Sequence, residues 1–280
     1  MADAIHPWAV VDPRASLADD VSVGAFAVIG PEVALDTGVR IGHHVVLEGR
    51  VQVGARAAVG HGSVIGGAPQ DLKFDPATVS GVRIGAGTVI REYVTIHRAT
   101  TPGAWTEIGA DCLLMAMCHV AHDCRLGDGV IVINYAGITG HCVIGDRATI
   151  GGHVGMVPFT RIGAHAYVGG FAKIVADVPP FVLVDGSPAT ARGVNVIGLR
   201  RAGMAADKRR QLQDAFRLLY RSGLSLQEAS RRIQSDLPGG EPIDTLVEFL
   251  FGCRRGICRP SRRDDGADDT VAAGKPEAVS

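Results

Sequence analysis

An aliphatic residue recurs every sixth position along most of this chain. The count starts at Ile5 and runs through Val11, Leu17, Val23, Ile29, Leu35, Ile41, Leu47, Val53, Val59 and Ile65. It resumes at Ile84, Ile90 and Ile96. From Ile108 it continues without a miss to Ile174. So short and constant a period fits only a solenoid of stacked turns, here a parallel β-helix built from hexapeptides. Three hexads close one triangular coil, so residues 18 apart stack at the strand spacing of roughly 4.8 Å.

A second column supports the first. Four places after each anchor stands a small or β-branched residue, from Ala9, Ala15 and Val21 to Thr160, Ala166 and Ala172, and neither column carries a charge. Large anchors with small fillers suit a narrow interior whose volume is fixed. Cys112, Cys118, Cys124 and Cys142 fall in the filler column, so each reads as a buried thiol packing as a small apolar group. Cys253 and Cys258 lie in a basic stretch with no zinc-like partner pattern. Glycine often follows an anchor, as at Gly24, Gly30, Gly42, Gly145 and Gly163. These glycines are expected at coil corners, where turn geometry opposes a Cβ.

The rhythm also sets the organisation. Residues 1–198 form the β-helix domain. The segments 66–83 and 97–107 depart from the hexads and read as external loops. In repeat proteins such insertions gather on one face and carry function. At Val178-Pro179-Pro180 the sixes stop, and residues 181–199 read as a loop-rich exit. Helical spacing follows in 199–258. One stripe contains Leu212, Ala215, Phe216, Leu219 and Tyr220. A capping box at Ser225-Leu-Gln-Glu228 opens a second helix. A third runs from Pro242 to about Phe251. Residues 259–280 are polar and read as a disordered tail.

Composition narrows the function classes. The formal net charge is −1, so no global field favours nucleic acid. No apolar run of about 18 residues is present, so no stable membrane insertion is expected. The first residues lack the basic-then-apolar pattern of a signal peptide, which makes the cytoplasm the default location.

The interior is apolar, so chemistry must sit outside it. His119 and His122 flank anchor Val120, and His141 lies on the next coil, one slot out of register with His122. All three avoid the interior columns. Asp123 follows His122 and can fix an imidazole tautomer and raise its basicity.

Cys-His-Val-Ala-His-Asp-Cys at 118–124 and Gln-Asp-Leu-Lys at 70–73 are more specific than the hexads. Together with 94–98, 177–181 and 193–195 they resemble the acyl-carrier-protein–UDP-N-acetylglucosamine O-acyltransferase family of lipid A synthesis. The resemblance covers about residues 5 to 255. It implies a mainly β fold, a left-handed parallel β-helix of hexapeptide repeats followed by a small α-helical C-terminal domain. The left hand runs against the general rule for parallel crossovers. The resemblance further implies transfer of a 3-hydroxyacyl chain from acyl carrier protein to the 3-hydroxyl of UDP-N-acetylglucosamine. His122 would be the general base, Asp123 would orient it, and the Gly140 N–H would serve the oxyanion. Substrate contacts carried over from the family are Gln70, Asp71, Lys73, His119, His141, Gly170, Asn195 and Arg201. Gly170 bears on acyl length. No cofactor and no metal are implied, and neither is a covalent intermediate. A homotrimer is implied, with clefts shared between prisms. For the acidic carrier, Arg192, Arg200, Arg201, Lys208, Arg209 and Arg210 offer a basic surface.

The chain departs from better-known members at Val157-Pro158, Pro188 and Ile197, where those have His-Gln, His and Glu. These positions bear on acyl length and on the sugar nucleotide, so a 3-amino analogue acylated to an amide is the alternative acceptor. Two further readings compete. One is a zinc-binding, carbonic-anhydrase-like trimer using His119 and His122. The other is a scaffold trimer without catalysis.

Overall fold

The computed structural model describes residues 5–260. Strands of mostly two residues succeed one another around three parallel sheets, and each third strand returns to the same sheet. The first face starts with Val10–Val11, the second with Ser16–Leu17 and the third with Ser22–Val23. Pairings such as Val28↔Val46 and Ile131↔Thr149 hold the 18-residue register. The three sheets close into a left-handed prism.

The interior is the two sequence columns. Ile29, Leu47, Ile65, Ile96, Leu114 and Ile138 are each at most 1% exposed, and the fillers Ala27, Val45, Ala148 and Ala166 are at 0%. Burying one such large aliphatic side chain stabilises by about 1.5–3 kcal/mol. Three fillers are hydroxylic, and each finds an acceptor. Ser63 donates to Arg91 O, Thr88 to Gly109 O and Thr160 to Val157 O. The four interior cysteines are buried and free. Burial pushes the Cys118 thiol up to about 12 and raises the other three as well. None is a nucleophile at neutral pH.

Glycine does not serve the corners in the way expected. The left-handed position is three residues after each anchor, and it mostly holds other residues: Phe26, His44, Arg56, Tyr93, Met117, Asp123, Tyr135, His141, His153 and Phe171 all have φ between 56° and 62°. The glycine after an anchor answers a different constraint, the backbone of the next coil. A Cβ on Gly85 would lie 2.4 Å from Ala110 N, and one on Gly145 would lie 2.5 Å from Ala164 N. Stacked rings offset part of the cost of the left-handed slots. Tyr135, His153 and Phe171 stack in turn at 4.7 Å along the edge between the third and first faces. That edge is an exposed apolar ridge, with Trp8, Phe26, Tyr93, Tyr135 and Phe171 all at least 49% exposed.

Both insertions leave from one corner, between the first and second faces. Ile65 pairs with Ile96, a separation of 31 residues, and Ile84 pairs with Ile108, a separation of 24, in place of the usual 18. The loops are shorter than the hexads suggested. Strands Val64–Gly67 and Gly81–Ile84 bound the first, and Thr95–His97 and Trp105–Ile108 bound the second. Val82 and Thr106, inside the expected loops, are fully buried prism residues.

The exit from the prism is ordered structure, not loop. Strands Val182–Asp185 and Thr190–Val194 form an antiparallel hairpin that extends the third sheet. Helix α1 (Val196–Arg201) follows directly, so the boundary at 198 falls inside a helix. Helices α2 (Ala206–Arg221), α3 (Leu226–Asp236) and α4 (Glu241–Phe251) complete the domain. Ser225 caps α3 by accepting from Glu228 N at 3.2 Å. Phe181, Leu199, Leu212, Ile233, Ile243, Leu246 and Phe249 make a second core, while Phe216 of α2 and Cys258 pack on the prism. Cys258 is thereby buried. The expected tail does not begin at 259: Arg259 O accepts from Ala191 N, and Pro260 bridges Ala191. The rest of that tail, 261–280, lies outside the described residues. No described helix is long and apolar enough to cross a membrane.

Candidate active site

The corner that throws out both loops carries the catalytic candidates on its next coils. Strand His119–Val120 ends the first face and Arg125–Leu126 begins the second. His122 and Asp123 form the turn between them. One coil on, Gly140 and His141 fill the same turn.

The left-handed φ of 59° at Asp123 turns its carboxylate back toward its neighbour. His122 Nδ1 lies 2.8 Å from Asp123 Oδ2. A neutral ring that donates there keeps its lone pair on Nε2. Both side chains are largely shielded, at 15% and 12% exposure. Burial raises the Asp123 carboxyl, but hydrogen bonds from His122 and Thr100 outweigh it and hold the group below the usual carboxylate range. His141 Nε2 approaches the same oxygen at 3.7 Å. Its ring stands edge-on to His122 and stacks on Phe159 at 4.4 Å.

Gly140 is buried directly beneath the His122 ring. A Cβ there would lie 2.5 Å from Cε1 and 2.7 Å from Nε2. Its amide has no acceptor among the described residues, a state it shares with Ala116, Asn134 and Gly152 in the same slot of neighbouring coils, but it alone of these lies against the His122 ring. At some turns a side chain one coil on accepts this N–H: His43 Nδ1 takes Ala25 N, His61 Nδ1 takes His43 N, and Asp128 Oδ1 takes Ala110 N, at 2.7–2.9 Å. One coil after Gly140 stands Pro158, which has no side-chain acceptor. No described residue accepts the Gly140 N–H. A lone-pair nitrogen and an unclaimed amide therefore sit side by side, an arrangement suited to removing a proton and holding an oxyanion.

His119 lies on the first face next to this corner. Thr95 Oγ1 is 2.7 Å from its Nδ1, and His97 meets its ring edge-on at 4.7 Å. Sequence reasoning passed over His97. Its Nδ1 is buried without a partner among the described residues. Burial, with help from His97 and His122, pushes His119 down to about 4, and burial also lowers His97. An unfolded chain protonates these groups near the ordinary value of 6.5. Between those values the unfolded state binds more protons, so stability is full above about pH 6.5 and is lost as pH falls toward 4. Thermal melts between pH 7.5 and 4.5 are expected to lose several degrees, with a shallower slope in His119→Gln. An unchanged slope in that variant contradicts the assignment.

The other expected site residues are divided. Gln70, Asp71 and Lys73 lie in the first loop, at the same corner. Lys73 is exposed, and its N–H is held by Asp71 Oδ1 at 2.9 Å. Gly170 is exposed at the opposite edge of the first face, higher up the prism. Asn195 caps α1 through Oδ1 and donates to His165 O, so its amide is structurally engaged. Arg201 is exposed at the end of α1. Within one chain, then, the dyad, Gly140, His141 and His119 come together, the first loop leaves the same corner on an earlier coil, and Gly170, Asn195 and Arg201 do not join them.

Among the described residues, His122, Asp123 and His141 are the one group with ligand atoms close enough, within 4.8 Å, for a metal ion. The short Nδ1–carboxylate contact commits one of those nitrogens to a hydrogen bond, which is the geometry of a base and its orienting acid.

Comparison with known proteins converges with this geometry. A profile for the UDP N-acetylglucosamine O-acyltransferase family, domain 2, matches residues 177–258, and a bacterial transferase hexapeptide profile matches residues 106–140. An acyl-[acyl-carrier-protein]–UDP-N-acetylglucosamine O-acyltransferase of Ralstonia nicotianae is 52% identical over 266 residues, covering 91% of this chain and 98% of the relative. A protein of the same description from Thermodesulfovibrio yellowstonii is 41% identical over 256 residues, with coverage of 91% and 99%. Among solved structures, LpxA from Acinetobacter baumannii superposes with a TM-score of 0.88 at 36% identity, covering 92% of this chain and all of that one. The UDP-N-acetylglucosamine O-acyltransferase of Moraxella catarrhalis gives 0.88 at 35%, with coverage of 91% and 100%.

Proposed function

Because this chain belongs to the acyl-[acyl-carrier-protein]–UDP-N-acetylglucosamine O-acyltransferase family, we propose that it carries an acyl chain from the carrier thioester to the 3-hydroxyl of the nucleotide sugar, with His122 as base. It is an acyltransferase of lipid A biosynthesis. The carrying observation is the His122–Asp123 pair poised over an unclaimed Gly140 amide.

In this reading His122 Nε2 takes the proton from the sugar hydroxyl as its oxygen attacks the thioester carbon. Charge develops on the carbonyl oxygen, and the Gly140 N–H accepts the task of holding it. The intermediate collapses, the C–S bond breaks, and the leaving sulfur takes the proton from His122. Asp123 keeps the ring in one tautomer and stabilises its protonated form. The enzyme forms no bond to either substrate, in keeping with the inert interior thiols. No cofactor is consumed.

His119, neutral across the working range, and His141 serve as polar walls of the substrate cleft. Lys73 reaches the substrate from the first loop. Gly170, Asn195 and Arg201 complete the cleft from a neighbouring prism in a homotrimer. The exposed aromatic ridge supports this, since a stripe of that kind on a lone prism would face water. Arg192, Arg200, Arg201 and Arg210 are exposed at the helical end, in keeping with docking of an acidic carrier. A cytoplasmic location belongs to the same reading.

The test is direct. Purified protein is offered 3-hydroxyacyl carrier proteins of several lengths with UDP-N-acetylglucosamine or its 3-amino analogue, and products are weighed by mass spectrometry. An ester product on the first acceptor is expected. Exclusive amide formation on the second moves the assignment to the alternative acceptor. In the same assay Lys73→Ala is expected to raise the KM for nucleotide sugar about tenfold, the loss of one charged hydrogen bond. An unchanged KM removes Lys73 from the site.

A further inference from the structure

The second loop, between strands Thr95–His97 and Trp105–Ile108, contains no residue that sequence reasoning assigned a role. Yet it supplies more hydrogen bonds to Asp123 than any other part of the chain. The Thr100 hydroxyl donates to Oδ2 at 2.7 Å, and the Thr100 N–H reaches both carboxylate oxygens at 3.2 Å. From the strand that closes the loop, Thr106, fully buried, accepts the Asp123 N–H at 2.9 Å. These contacts fix both the left-handed backbone of Asp123 and the direction of its carboxylate.

Thr100 is itself held. It follows Ala99, which is 0% exposed, and the buried Ser80 hydroxyl donates to the Ala99 carbonyl. Ser80 closes the first loop. The two loop bases are stitched further by Gly103 N to Val79 O and by Gly81 N to Ala104 O. The path from the first loop to the imidazole is therefore continuous: Ser80, Ala99, Thr100, Asp123, His122.

We infer that Thr100 is a positioning residue for the reaction, setting the Asp123 carboxylate so that His122 presents Nε2 to the acceptor hydroxyl. The inference rests on His122 being the base. A carboxylate has two oxygens and a rotatable bond. With only the His122 contact at 2.8 Å it could turn and carry the ring with it. Two donors from one rigid loop residue remove that freedom, and partners of this kind typically matter ten- to a hundred-fold in activity.

The variant Thr100→Val keeps the shape and the backbone N–H and loses the hydroxyl donor. Its kcat is expected to fall about tenfold while the KM for UDP-N-acetylglucosamine stays at the parental value, and Thr100→Ser is expected to restore kcat. The control is a double-mutant cycle: in an Asp123→Ala background, Thr100→Val should have little further effect, since its target is gone. Parental kcat in Thr100→Val overturns the proposal. So does failure of the serine to rescue, or a full tenfold loss in the Asp123→Ala background. Circular dichroism melts verify that each variant is folded, and should Thr100→Val fail to fold, the Thr100→Ala variant is put through the same cycle. His122→Ala is assayed beside them. Full activity there refutes the base itself and takes this proposal with it, whereas loss there with parental Thr100→Val refutes the proposal alone.

Discussion

Replacing His122 by alanine is expected to lower turnover between about a hundred- and ten-thousand-fold, the range contributed by a positioned general base. The structure gives three reasons to expect the effect in kcat with little change in folding. The side chain lies outside the interior columns, so its removal leaves the buried anchors untouched. Its one short polar contact is with Asp123, which keeps both Thr100 donors when the ring is gone. No other histidine at the corner can replace it: His141 stands edge-on, stacked against Phe159, and His119 is tied to Thr95. Steady-state kinetics with radiolabelled nucleotide sugar, paired with sedimentation, make the check. The variant should sediment like the parent and turn over at background. Retained turnover removes the base from the mechanism. A parent that turns over as a monomer refutes the shared cleft.

The second large effect is expected at Gly140. No φ constraint forbids alanine there, so the backbone can accept the change. The obstacle is the imidazole. A Cβ would come within 2.5 Å of His122 Cε1, inside any tolerable contact. The ring must move, and it is held at Nδ1 by a carboxylate that Thr100 holds in turn. Gly140→Ala is therefore expected to displace Nε2 by a fraction of an ångström or more and to cost on the order of a hundredfold in kcat. It should leave the thermal midpoint close to parental, because the strain can be relieved by rotating one side chain that lies outside the prism core. A large loss of stability with proportional kinetics would place the glycine's role in the fold instead. The two variants should also be far from additive, since both act on the same ring.

Much of this was legible in the residues. The interior columns follow from a fixed period in which only slots one and five point inward. The placement of His122 outside those slots, with a carboxylate next to it, followed from the same count. What stayed hidden has physical causes. Thr100 bonds a residue 23 positions away across an insertion that breaks the count, so no spacing could signal it. The hairpin of Val182–Asp185 and Thr190–Val194 abandons the six-residue rhythm for an antiparallel return, which a period search reads as loop. The corner glycines were misread because a turn needs left-handed geometry in general, yet here stacked rings and side-chain ladders let Phe, His, Tyr and Asp take that geometry, leaving glycine to the points of backbone approach. The apolar ridge was missed because its members occupy a slot, three after the anchor, that the interior columns do not track.

The vertical register has a consequence for how such a chain can vary in length. Removing six residues between His122 and His141 would turn everything downstream by one third of a revolution, carrying His141 off the edge it shares with His122. Removing eighteen would bring the edges back into line but slide the neighbours of the imidazole past it by one storey. Only where the polypeptide leaves the column and returns to the same rung, as it does between Gly67 and Gly81, can residues be gained or lost with the rest unmoved. Diversity in this architecture is thereby funnelled to the brim of the reaction centre, where altered length changes what is admitted and not how it is transformed.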